Sequence, residues 1–245
     1  RLGRGCAGQA SERWGLSDGA VLVGPPLERP LLFRENGLQF EADVVHGQKT
    51  GFFFDQRDNR ARVQKLAKGK SVLNLFAYTG GFSVYAARGG ARSVLSLDSS
   101  APALEAAQRN WERNKASYLP DARHEALVTD AFAQLERMKE GGRRFGLVIV
   151  DPPAFAQEQA QVKQALKAYE RLSMMSLAVL APGGTWVMAS CSSRVDADTF
   201  FGTVLQAAQR AGRRVTELER SRHALDHPIG FREGAYLKCL FARVA

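Results

Sequence analysis

From Ser71 onward, short apolar runs alternate with longer amphipathic stretches, and no other property of the chain narrows its fold so far. The strand candidates are Val72–Phe76, Ser93–Leu97, Glu125–Thr129, Leu147–Val150, Thr185–Ser190, Val215–Arg220 and Tyr236–Phe241. Helical stretches lie between most of them, at Gly81–Arg88, Ala101–Lys115, Ala131–Lys139, Gln159–Leu180 and Ala197–Ala211. Ala103, Leu104, Ala107 and Trp111 fall on one apolar stripe of a helix. Ala181-Pro182-Gly183-Gly184 reads as a stop after the longest helix. This order predicts an α/β fold, a mostly parallel sheet of seven strands with helices on both faces. Residues 221–235 hold His223, His227, Pro228 and Gly230 and no helical period. The last two strands are therefore expected to form an antiparallel end.

The first sixty residues read differently. Residues 1–20 carry five glycines and little periodicity, as a linker or frayed start would. Residues 21–60 read as a small antiparallel β unit, with β-like runs at Val21–Gly24, Leu31–Phe33, Leu38–Val44 and Phe52–Phe54. Asn36-Gly37 between two of these runs is a hairpin signal. Residues 61–245 then form the α/β domain. The chain starts with Arg1 rather than Met, as a trimmed chain or one with its first residues left out would, and an upstream domain is one candidate for what precedes it.

Bulk properties bound the setting. A net charge of +9 points to a polyanionic partner, with nucleic acid the first choice. No apolar run is long enough to span a membrane, and no secretory signal is visible, so a cytoplasmic protein is expected. Cys6, Cys191 and Cys239 are far apart, with no metal-ligand spacing and no disulfide framework. That suits a reducing compartment.

Three places carry chemistry. Asn74–Gly81 lies where the first strand of the alternating region turns into a helix, and glycine there lets the backbone approach a ligand. The turn lacks G-x-G-x-x-G, which argues against an NAD-linked enzyme. Asp98 closes the second strand, where an acid can take ribose hydroxyls, and Asp130 closes the third. Each acid alone also suits a helix N-cap. Together with the glycine turn they point to an adenosine-type ligand without a pyrophosphate. Asp151-Pro152-Pro153-Ala154-Phe155 and Ser190-Cys191-Ser192 follow two further strands. The prolines end strand pairing and hold Asp151 at a rigid turn. Cys191 sits before a helix start near Asp196 and three residues before Arg194, features that favour a thiolate nucleophile. Cys239, within an apolar strand, reads as a buried small residue, and Cys6 as incidental.

Asn74–Gly81, Asp151–Phe155 and Ser190–Ser192, with Gly47–Arg60, Asp226-His227-Pro228 and Tyr236-Leu237-Lys238, resemble a known family. It is the bacterial class I S-adenosylmethionine-dependent methyltransferases that form 5-methylcytosine in 23S ribosomal RNA, and the resemblance covers residues 21–245. It implies a Rossmann-like fold, S-adenosylmethionine as cofactor and S-adenosylhomocysteine as product. Phe76, Tyr78, Thr79 and Gly80 would wrap the methionine end, Asp98 would hold the ribose, and Asp130 the adenine amino group with Ala131 beside it. Gln56 and Arg57 would close over the cofactor carboxylate from the β unit. Asn74, Ser99 and Asp151 complete the implied cofactor set. Cys191 would be the nucleophile, with Asp151 facing the target base. Implied partners are 23S rRNA or a large-subunit assembly intermediate, with no membrane, and a homodimer is compatible. Family members usually begin with a small RNA-binding PUA domain before the β unit; none is read in this sequence, so the expectation is either that it was removed or that this is a shorter relative. Two rival readings are a base N-methyltransferase, since Asp-Pro-Pro with a nearby aromatic suits an exocyclic amine, and a nucleic-acid-binding module without catalysis.

Overall fold

The computed structural model describes residues 13–15, 21, 23–118 and 122–245. Cys6 and most of the expected linker 1–20 lie outside them. The chain divides into two compact units, residues 1–54 and 55–245.

In the smaller unit, β1 (Leu31–Glu35) and β2 (Leu38–Ala42) pair antiparallel, from Leu31 opposite Ala42 to Glu35 opposite Leu38. Asn36 and Gly37 both take positive φ, 50° and 85°, which a two-residue hairpin turn of this hand requires. Phe52–Phe54 forms no strand with them. The rings of Phe52 and Phe54 instead join Phe33 and Phe40 in an aromatic cluster, with Phe33 edge-on to Phe52 at 4.9 Å. Val23 and Gly24 are not in a strand either.

The boundary after residue 60 is displaced to Phe54/Asp55 because Arg57–Leu66 is a helix, α1, of the larger unit. The sequence hides it. Its buried positions are Asn59, Arg60 and Val63, so two of three are polar and no apolar stripe advertises the helix.

The larger unit continues as β3 (Ser71–Leu75), α2 (Gly81–Arg88), β4 (Ser93–Asp98), α3 (Ala101–Tyr118), β5 (Arg123–Val128) and α4 (Ala131–Glu140). There follow β6 (Phe145–Val150), α5 (Val162–Ala178), β7 (Leu180–Ser190), α6 (Ala197–Arg210), β8 (Val215–Ser221) and β9 (Lys238–Val244). The sheet order is β5-β4-β3-β6-β7-β9-β8, and β9 runs antiparallel to both neighbours. Helices cover both faces, α1 to α3 packing in series and α4 to α6 in series. Leu73, Leu75, Val148 and Val150 bury one sheet face against Leu135, Tyr169, Leu172 and Phe200 of the second group.

Two consequences matter for function. The chain runs outward from β3 through β4 to β5, then returns to β6 on the other side of β3. Beyond the carboxyl ends of β3 and β6 this reversal opens the crevice where such sheets bind ligands. The Ala181–Gly184 stop signal acts within a strand. Pairing jumps from Phe145–Leu180 to Leu147–Thr185, so Pro182 and Gly183 are accommodated as a bulge early in β7.

Behind the first strands runs a polar chain. Asn74 Nδ2 donates to Ser83 Oγ (2.9 Å), Ser83 meets Ser96 (2.7 Å), and Ser96 meets His124 Nε2 (2.8 Å). His124 stacks on Trp111 with centroids 4.4 Å apart, and burial pushes its pKa down to about 4. The unfolded chain protonates this group near 6.5, so it takes up a proton before the folded protein does. Stability should therefore be lost as pH falls from about 6.5 through 4, by roughly 2 kcal/mol at pH 5. Urea unfolding at pH 7 and pH 5 measures this. The drop should be smaller by about that amount in His124→Gln, and an equal drop in both proteins would refute the assignment.

Candidate active site

The turn after β3 is conformationally unusual. Phe76, Tyr78 and Gly80 take φ of 58°, 47° and 77°, all left-handed, and two of the three carry a Cβ. Such residues cost on the order of 1 kcal/mol each and persist where surrounding contacts impose them. The contacts are present. Ala77 N–H donates to Leu97 O (2.9 Å), Gly80 N–H to Ala77 O (2.9 Å), and Asn110 Nδ2 to Thr79 O (2.9 Å). Tyr78 N–H donates to Asp98 Oδ2 (2.8 Å). At Gly80 a Cβ would lie 2.8 Å from the Ala107 Cβ, so α3 can approach only a glycine there.

Asp98 thus holds the turn as well as facing the crevice. Its Oδ1 accepts from Ser100 N–H (2.9 Å), leaving further lone-pair capacity on both oxygens. Asp130 is exposed and caps α4 through Ala133 N–H (2.9 Å), so its N-cap role is real. Ser99 is exposed and Ala131 buried beside these acids. Asn74, expected at the cofactor, is 1 % exposed, and its amide nitrogen is engaged by Ser83. It supports the turn from behind, with Oδ1 buried and without a hydrogen-bond partner. A left-handed turn, a fixed carboxylate and an exposed acid at successive strand ends fit an adenosine-type cofactor.

The acid and the thiol do come together. β6 and β7 are parallel neighbours, with Val150 opposite Met188. Asp151 follows the last residue of β6 and Cys191 the last residue of β7. The Cys191 thiol lies 3.7 Å from Pro152 O, within reach as a weak donor. Its flanking serines are buried and hold the loop. Ser190 Oγ meets the Tyr169 hydroxyl (2.8 Å), and Ser192 Oγ donates to Ala156 O (2.8 Å). The cysteine between them is partly exposed.

Asp151 is oriented by a directional hydrogen-bond chain. Ser221 Oγ donates to Asn59 Oδ1 (2.5 Å), Asn59 Nδ2 to Gln56 Oε1 (2.6 Å), and Gln56 Nε2 to Asp151 Oδ2 (2.9 Å). Gln56 therefore meets Asp151 within the larger unit, not from the β unit as expected. Arg57 belongs to that unit too. Its guanidinium forms a two-pronged pair with Asp226, at 2.5 and 3.1 Å, which pulls the Asp226 carboxyl down to about 2.

Arg194 departs from expectation. Its guanidinium turns to Gln157 O (3.4 Å) and Glu233 (3.9 Å), not to Cys191. The helix start at Asp196 is present, but Asp196 caps it through Thr199. The surroundings of Cys191 that sequence reasoning missed are Tyr169, Tyr236 and Lys238. Burial, foremost, raises both phenols, and the charge of Cys191 adds to it. Tyr236 donates to Asp55 Oδ2 (2.7 Å), and Asp55 Oδ1 is buried without a partner. His223 packs edge-on to Tyr236 at 4.4 Å and accepts from Leu237 N–H (3.3 Å), whereas His227 lies beside Asp226 (3.0 Å). Cys239 is fully buried, and burial raises its thiol pKa, as a packing residue requires. Among the described residues no cluster of metal-ligating side chains occurs, and no helix is long and apolar enough to cross a membrane.

Known proteins are similar to this chain. A ribosomal RNA large subunit methyltransferase of Deinococcus radiodurans is 47% identical over the whole chain, which spans 59% of that relative. Ribosomal RNA large subunit methyltransferase I of Pseudoalteromonas translucida is 42% identical over 91% of the chain and 56% of its own length. The chain thus spans a little over half of the curated relatives it matches. A solved structure described as a methyltransferase in complex with S-adenosylhomocysteine superposes with a TM-score of 0.79 at 26% identity, covering 91% of this chain and 58% of the other. The family model of S-adenosylmethionine-dependent methyltransferases matches residues 9–238. The chain belongs to that S-adenosylmethionine-dependent methyltransferase family, and S-adenosylmethionine is its cofactor.

Proposed function

We propose that this protein methylates carbon 5 of a cytosine in 23S rRNA through a covalent adduct on Cys191. The observation that carries the reading is the partly exposed thiol held at the mouth of β7, beside the Asp151 turn, by two buried serines. Methylation of an exocyclic nitrogen needs no such thiol. The relatives' names support rRNA of the large subunit as substrate, and the +9 charge supports a polyanionic partner.

Phe76, Tyr78, Thr79 and Gly80 would line the methionine end of the cofactor, Asp98 and Ser99 its ribose, and Asp130 and Ala131 its adenine. Arg57 would reach the cofactor carboxylate only by exchanging Asp226 for it. When bound, S-adenosylmethionine supplies an electrophilic methyl group. The Cys191 thiolate adds to carbon 6 of the cytosine, which makes carbon 5 an enamine nucleophile. Asp151, whose Oδ2 accepts from Gln56, would as the protonated acid hydrogen-bond the cytosine ring nitrogen. The C5–methyl bond would form as the sulfur–methyl bond of the cofactor breaks, leaving S-adenosylhomocysteine; a base, or a water held by one, then takes the carbon-5 proton, carbon 5 and carbon 6 regain their double bond as the thiolate leaves, and the ring nitrogen returns its proton to Asp151. The target base must be out of its stack to enter the crevice.

The test is methylation of 23S rRNA fragments with tritiated S-adenosylmethionine, followed by nucleoside mass spectrometry. Label in 5-methylcytosine is expected. Label in an N-methylated base would replace this reading with the rival chemistry.

A further inference from the structure

Lys238 is the first residue of β9 and one of the largest fully buried side chains, 1 % exposed. In the β7–β9 ladder it stands opposite Ser190, the residue before Cys191. Its Nζ donates to the carbonyl of Ser192, the residue after Cys191 (2.5 Å), and to Tyr236 O (2.9 Å). The thiol loop is thus tied to this lysine on both sides. Two neutral carbonyls occupy two of the three ammonium donors, and a buried charge so placed is costly unless an anion offsets it.

The charged and titratable groups around the pair include His223, which packs on Tyr236 and is disfavoured as a cation by burial foremost and also by Lys238. Cys191 and Asp196 act on Lys238 and favour its charged form, while burial pulls its pKa down to about 8. Tyr169, Tyr236 and Asp151 lie on the thiol side, each neutral or anionic. Arg194, the other nearby cation, is turned to Glu233. We propose that Lys238 is a positioning residue whose buried ammonium holds the Cys191 loop and stabilises the Cys191 thiolate. This rests on Cys191 being the nucleophile, but its test does not require methyl transfer.

The thiolate of Cys191 is titrated by ultraviolet absorbance and by iodoacetamide alkylation against pH, with Cys191→Ala as the blank for the other cysteines. In the wild type the midpoint should lie below about 7.5, against about 8.5 for a free thiol. Lys238→Met should raise it by about one unit, slowing alkylation at pH 7 about ten-fold. Lys238→Arg should restore the low midpoint, which a purely structural role would not do. Heat of S-adenosylmethionine binding shows whether each variant is folded. A wild-type midpoint at or above the free-thiol value overturns the proposal whatever the variants do, and so does a folded Lys238→Met with an unchanged midpoint. Full methyl transfer by Cys191→Ala would instead remove the covalent reading and leave the lysine–thiol coupling standing or falling on its own titration.

Discussion

Cys191→Ala is expected to lose methyl transfer by about 10⁴-fold or more, a barrier increase of roughly 5 kcal/mol, with cofactor affinity nearly unchanged. Carbon 5 of cytosine is a poor nucleophile, and the thiol adduct is what would convert it into an enamine. The loop should survive the substitution. Ser190 and Ser192 keep their bonds to Tyr169 and Ala156, and the thiol's contact with Pro152 O is a weak one. The residues proposed for the methionine end, ribose and adenine of the cofactor lie elsewhere, at the ends of β3, β4 and β5. Single-turnover transfer of tritium measures the chemistry and calorimetry the binding. Retained turnover would end the covalent scheme and favour nitrogen methylation. Cys191→Ser sharpens the comparison, because an alkoxide is far harder to form than a thiolate while the side chain keeps nearly the same shape.

Most of the sheet is legible from sequence because parallel strands buried on both faces are near-continuous apolar runs. Leu147–Val150 is such a run, and its residues are 0–1 % exposed. Helix starts were legible where an acid caps them, as at Asp130 and Asp196. The α1 helix was not, since its inner face is Asn59 and Arg60. Polar residues can face inward only when partners await them, and those partners, Gln56, Ser221 and the ring of Tyr85, are set by tertiary structure. The same limit explains Phe52–Phe54, whose apolar run serves an aromatic cluster and not a strand.

At the site, the sequence revealed which strand ends carry reactive groups, because position after an apolar run is a local property. Asp98, Asp130, Asp151 and Cys191 all stand at or just beyond strand ends, as that local property places them. Long-range partners are not legible in this way. Arg194 is near Cys191 along the chain, yet its guanidinium faces Glu233. Lys238 is 47 positions from Cys191, but its ammonium bonds to the next residue's carbonyl. A lysine within the apolar strand Tyr236–Phe241 was the available signal, since a charge at such a place must be matched by something on the facing strand.

Asp151→Asn and Asp151→Ala should separate two parts of that acid's work. In the asparagine variant the side-chain oxygen can still accept from Gln56, and its amide can donate to the cytosine ring nitrogen, as the protonated acid would. The ground-state hydrogen bond survives, but no proton can be transferred as charge develops on the ring. We expect kcat to fall by about 10²-fold with KM for RNA nearly unchanged. Alanine removes both the hydrogen bond and the anchor for Gln56. It should reduce kcat by about 10³-fold and raise KM as well. The Ser221–Asn59–Gln56 chain would then lose its acceptor, so Gln56→Leu should reproduce part of the alanine phenotype through misplacement of Asp151. Steady-state kinetics on an RNA fragment distinguishes these outcomes. An asparagine variant within threefold of wild type would show that Asp151 orients the base without acting as an acid. An alanine variant with kcat intact and only KM raised would remove it from the chemistry, leaving the thiolate to activate carbon 5 unaided.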